Sequence, residues 1–135
     1  MKSIENTANL IGRILVASLF LPAGVSKLMG FEGTVAYFGS LGLAMPSLMA
    51  VGVIAIEILG GLALILGYKI RIAAVMLALF TIGASIIGHA YWAAPADQVF
   101  VAKLLFYKNI AIVGGLLILA AMGAGQLSID KAKSK

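Results

Sequence analysis

Five ionisable side chains lie within or beside long apolar stretches of this chain: Arg13, Lys27, Glu57, His89 and Lys108. Glu57 stands out as the one charge in "VGVIAIEILGGLALILG", from Val51 to Gly67. Such a charge at the centre of a membrane helix costs about 2.5–3.5 kcal/mol on the insertion scale, and five in a small bundle imply mutual pairing. A carboxylate can carry a proton, and an imidazole or amine can donate a hydrogen bond. Together with the phenol of Tyr91 and the amide of Asn109, these groups could hold the carbonyl oxygens of a quinone-like lipid in an apolar slot. Glu57, Lys108 and His89 are the candidates for chemistry. Arg13, Lys27, Tyr91 and Asn109 complete the expected polar cluster. With one histidine and no cysteine, one chain cannot supply bis-histidine haem, zinc-thiolate, iron–sulfur or disulfide chemistry. No metal site is expected.

Helical spacing assigns these residues to faces. Arg13, Ala17, Phe20, Gly24 and Lys27 recur at steps of three and four and form one stripe. Glu57 lies beside Gly60 and Gly61, with Ala50 on the same side. Small residues let membrane helices approach closely, so Glu57 should face a neighbouring helix. Thr81, Ser85, His89 and Trp92 make a polar line. Lys108, Ala111 and Gly115 share a face that Asn109 flanks. Glu57 is near mid-span, and Lys108 lies about 9 Å in from the end of its helix at 1.5 Å per residue. Depth therefore selects Lys108 as the partner of Glu57, with Arg13 second. Lys27, at a helix end, is read as reaching to the interface.

The elements that position these groups are membrane spans. The chain has 135 residues, 62% hydrophobic and 11% charged, where a soluble domain carries about 25% charged. A bilayer core of about 30 Å takes about 20 apolar residues per helix. Four stretches qualify, near 8–29, 46–67, 70–92 and 102–123, with a basic tail over 124–135. The first could pass for a signal peptide, but three more spans follow and it is read as retained. The segment from Phe31 to Pro46 is long enough for a short interfacial helix. The fold class is thus all-α, one domain over 1–135, a polytopic four-helix membrane bundle.

The net charge of +5 is spread over span ends and tail, which excludes a phosphate-reading stripe and nucleic acid. Lys2, Lys69, Arg71, Lys131, Lys133 and Lys135 mark one side of the membrane. The other loops hold Glu32 and Asp97, with Lys103 at a border. By the positive-inside rule both termini are expected in the cytoplasm. "IEILGGLALIL" echoes "IAIVGGLLILA", which apolar helices can share without an internal repeat. The glycine pairs of spans two and four could pack inside one bundle or across a homodimer.

In order, the chain carries Arg13, "FLPAGVSKLMGFEG", "EILGGLALILG" with Arg71, His89 in "GHAYW", "YKNIAIVGGLLIL" and "GAGQLSID" with Ser128 and Asp130. These residues, over the full length, resemble the DoxX family of small bacterial inner-membrane proteins. The resemblance implies a four-helix bundle in the plasma membrane, associated with redox systems. Relatives are linked to a thiosulfate:quinone oxidoreductase and to membrane complexes with oxidative-stress enzymes. It implies no catalytic residues. The expected function is a membrane subunit that binds a quinone-like lipid or docks a soluble redox enzyme. The alternatives are a small proton-coupled transporter and a structural anchor.

Overall fold

In a computed structural model, which describes residues 1–133, all regular elements are helical. They are α1 (Lys2–Met29), α2 (Phe31–Ser40), α3 (Pro46–Leu66), α4 (Ile70–Gly88), a 3-10 turn (Tyr91–Ala93), α5 (Val99–Met122) and α6 (Ile129–Lys133). Four helical stretches are long and apolar enough to cross a membrane. They coincide with the four expected spans, apart from their ends. α1 starts at Lys2, ahead of the apolar run, because its polar first turns have partners at the C-terminus (below). α4 stops at Gly88, and His89 and Ala90 break the third span before the 3-10 turn. Pro46 opens α3 at a position where a missing N–H does no harm, and Gly67 closes it with φ 66°. The segment after α1 does form a helix, α2.

α1 lies along α3, α4 along α5, and the two pairs meet where α3 packs on α4. One core joins all four spans at their basic ends, with Ala17, Phe20, Leu64, Leu77, Ala78 and Leu116 at its centre. The α1–α3 contact depends on glycine from both sides. A Cβ at Gly24 would stand 2.8 Å from Ile58 Cγ1 and 2.9 Å from Glu57 Cβ. One at Gly61 would stand 3.0 Å from Leu21 Cβ and 3.1 Å from its backbone nitrogen. Neither leaves room for a methyl group. Gly24→Val should therefore push α1 off α3 and lower stability by about 1–3 kcal/mol, read as a lower melting temperature in detergent. By contrast, a Cβ at Gly114 or Gly115 would meet nothing within 4 Å. The glycine pair of α5 therefore faces out of the bundle and does not pack inside it.

The basic end is closed by the C-terminal segment. The Asp130 carboxylate accepts from the backbone N–H groups of Lys69 (2.7 Å) and Ile70 (2.9 Å), capping α4. Arg71 Nη1 donates to Ala120 O (2.7 Å) and Ala121 O (2.6 Å), the last carbonyls of α5. Asn9 Nδ2 donates to Gly123 O, and Asn6 Oδ1 accepts from Gln126 N–H, both at 3.0 Å. The first and last turns of the chain are thus tied together.

Candidate functional site

Glu57 is 5% exposed and lies on the α3 stripe that runs through Ala50, Ile54, Gly61 and Leu64. Its partner is Lys27. The ammonium donates to both carboxylate oxygens, at 3.0 and 3.1 Å. The expectation that Lys108 would pair with Glu57 is therefore corrected, as is the second choice, Arg13. The cause is Gly24. It brings the α1 backbone against Glu57 Cβ, and Lys27, one turn on, then stands over the carboxylate. A lysine read as reaching to the interface folds onto the neighbouring helix instead. Two of its three N–H groups serve Glu57 and one remains to donate elsewhere.

Lys27 also lines a cavity of about 540 Å³ enclosed by α2, α3 and α4. Its walls are apolar: Phe38 from α2, Met49 and Val53 from α3, Leu79, Phe80 and Ile87 from α4. Gly52 and Gly83 widen it, and a Cβ at either would meet nothing within 4 Å. Polar groups enter at three places: Lys27, Tyr37 and His89. The Tyr37 hydroxyl lies 3.9 Å from where a Cβ of Gly88 would stand, which sets it beside the end of α4 that carries His89. An apolar slot with a few polar groups is the usual form of a small-molecule site. Leu48, Met49, Leu79 and Ile87 on its walls are exposed on the outer surface, so the slot is reached from the bilayer.

The remaining members of the expected cluster lie elsewhere. Arg13, 1% exposed, is at the basic end. Its Nη1 donates to Leu64 O (3.3 Å) and Ile65 O (3.4 Å), and its Nη2 to Leu127 O. It caps α3 and does not approach Glu57. Tyr91 belongs to an aromatic group with Trp92 (centroids 5.2 Å) and Phe106 (5.4 Å), under Lys103 at 5.7 Å. Lys108 is exposed and forms no ion pair among the described residues. Asn109 is the buried neighbour, on the stripe with Val113 and Leu116. The inner face of α5 is thus turned by one residue, about 100°, from the Lys108 face. Of the polar line on the third span, Thr81 and Ser85 are buried, with their hydroxyls donating back to Leu77 O and Thr81 O, both at 2.6 Å, whereas Trp92 is exposed.

The family model described as DoxX matches residues 8–90. That stretch holds all but the first turns of α1, the pair, the cavity and His89. The chain belongs to the DoxX family. Two relatives from Escherichia coli K12 cover nearly all of it. Inner membrane protein YphA is 40% identical over 90% of this chain and 87% of its own length. Inner membrane protein YqjF is 38% identical over 100% and 98%. "Putative oxidoreductase CatD" of Bacillus subtilis 168 is 44% identical over 63% of this chain and 61% of its own. No solved structure matches. The chain is thus a DoxX multi-pass inner-membrane protein.

Within this DoxX chain, sequence reasoning passed over Tyr37, Gly52 and Gly83. Tyr37 lies in the segment expected to form a short interfacial helix, and only the way α2 tucks against α3 brings it to the cavity. The two glycines had a weak signal. Each interrupts an apolar run at a place where no turn needs it, which in a membrane helix marks either close packing or open space.

Proposed function

We propose that this protein binds a quinone-like amphipathic lipid in the α2–α3–α4 cavity, as the membrane subunit of a redox system. The observation that carries the reading is the cavity itself: an apolar slot open to the bilayer, with Lys27, Tyr37 and His89 as its polar groups. The ring would lie among Phe38, Met49, Val53 and Phe80. Its carbonyl oxygens would accept from the free N–H of Lys27 and from Tyr37 or His89. Glu57 holds the ammonium in place and balances its charge without touching the ligand. The name of the Bacillus relative, "Putative oxidoreductase CatD", supports the redox association. Electron exchange with the ring falls to a docked soluble oxidoreductase. We further read residues 1–135 as one membrane domain, with the basic end and both termini in the cytoplasm, on the Lys/Arg asymmetry.

Gly83→Leu is the sharpest test. The new side chain points into open space, so the fold should tolerate it while the slot fills. Protein purified in native lipid discs should retain quinone, measured by mass spectrometry after extraction. Gly83→Leu should lower that retention about tenfold or more at an unchanged melting temperature. Equal retention by the variant, or no quinone with either protein, would remove this reading. A carboxylate already paired with Lys27 is a poor trap for a cationic substrate, which argues against the transporter alternative.

A further inference from the structure

The α3–α4 seam carries a second groove, on the outer surface nearer the basic end, of about 550 Å³. Gly60 seats against Leu77, whose Cδ2 lies 2.8 Å from where a Cβ would stand. The two helices therefore touch at depth. Outside that contact Ala63 and Ala73 are small, and Leu59, Leu66, Ile72 and Met76 form exposed walls. The groove follows α3 from Ala55 to Leu66, about 17 Å at 1.5 Å per residue. That is roughly half of a hydrocarbon core of about 30 Å, the depth of one leaflet.

At its basic end the groove reaches Tyr68 and Lys69. A hollow of about 680 Å³ shares Lys69 and Ile72 with it and continues over the charged and polar groups of Arg71, Ser128, Asp130 and Lys131. Three cations and one carboxylate line this ledge. The Asp130 oxygens are turned into the start of α4, where they accept from Lys69 and Ile70 N–H. Arg71 is held by the α5 carbonyls, and Lys69 Nζ lies 5.7 Å over the Tyr68 ring. An apolar slot one leaflet deep thus runs into a ledge of net positive charge at the membrane surface.

We propose that this is a binding site for an anionic phospholipid, with one acyl chain along the α3–α4 groove and the phosphate at Lys69, Arg71 and Lys131. The slot matches a single chain of the leaflet that meets the basic end, and the ledge matches a headgroup whose charge is not cancelled by an amine. Cations at a membrane surface attract anionic lipid by a factor of about five each. The site does not depend on the quinone reading, since the two hollows share only Ile56.

The test is native mass spectrometry of the detergent-purified chain, titrated with phosphatidylglycerol or with phosphatidylcholine of the same acyl chains. Phosphatidylglycerol should be retained in preference. The pair Lys69→Asn and Lys131→Gln, both outside the core, should reduce its retention about fivefold per residue and leave phosphatidylcholine unchanged. Asparagine suits position 69, where φ is 44°. Ala73→Phe, which fills the groove, should reduce both lipids. Inorganic phosphate should not displace the lipid. Equal retention of the two lipids, no effect of the lysine changes, no effect of Ala73→Phe, or ready displacement by phosphate would each overturn the proposal, the last by pointing to a free-anion site.

Discussion

Lys27→Met should destabilise the protein by about 3–5 kcal/mol, whereas Glu57→Gln should cost only about 1 kcal/mol. The asymmetry follows from the surroundings. The Glu57 side chain is 7% exposed and the Lys27 side chain 30%. Removing the lysine leaves a carboxylate between α1 and α3 with no cation to face it. Removing the carboxylate's charge leaves an ammonium that can swing along its stem towards water, and glutamine can still accept one of its hydrogen bonds. The double variant should recover most of the loss of Lys27→Met, because both members of the pair are gone. Urea or thermal unfolding in detergent measures all three. Equal losses in the two single variants would mean that Glu57 is not the more deeply buried partner. Quinone retention separates the roles: the double variant should regain stability and still fail to retain the ligand, since the Lys27 donor is missing.

Arg13→Met should cost about 2–3 kcal/mol, because Ile65 O and Leu127 O lose the guanidinium donor and Leu64 O keeps only the Gly67 N–H. Arg13→Lys should rescue little. A single ammonium cannot reach carbonyls on two sides as a planar fork does. The damage should be local. Hydrogen exchange should speed up across Gly123–Asp130, which Arg13 helps to hold, while the amides around the α2–α3–α4 cavity stay protected. Loss of ligand retention in an Arg13→Met protein that melts normally would return Arg13 to the binding site.

The spans were legible because about 20 apolar residues in a row have few other uses, and the short link at Gly67 leaves α3 and α4 little choice but to pack as neighbours. The direction of Glu57 was legible too, from the small residues beside it. Its partner was not. Depth along each helix can be counted from sequence, but which helices touch depends on shape. The α1–α3 neighbourhood rests on Gly24 and Gly61, whose faces can be read from spacing, but nothing in the string pairs the one with the other. Lys108 and Asn109 show the same limit at finer scale. α5 is apolar almost all round, so its sequence does not say which side faces in, and an error of one residue exchanges a buried amide for an exposed amine. Asp130 looked like part of a basic orientation signal. Its role as the cap of α4 depends on a contact across 60 residues.

The bonds that close the basic end join positions far apart in the order of synthesis. Asn6, Asn9 and Arg13 enter the membrane with the first helix, and their acceptors or donors at Gly123, Gln126 and Leu127 are made more than a hundred residues later. Until then Arg13 is a charged side chain in a newborn helix without its full set of carbonyls. A chain halted before Gly123 would carry both a guanidinium short of its Leu127 carbonyl and an uncapped α4. Synthesis of residues 123–130 is therefore the step that supplies the last carbonyl to Arg13 and caps α4.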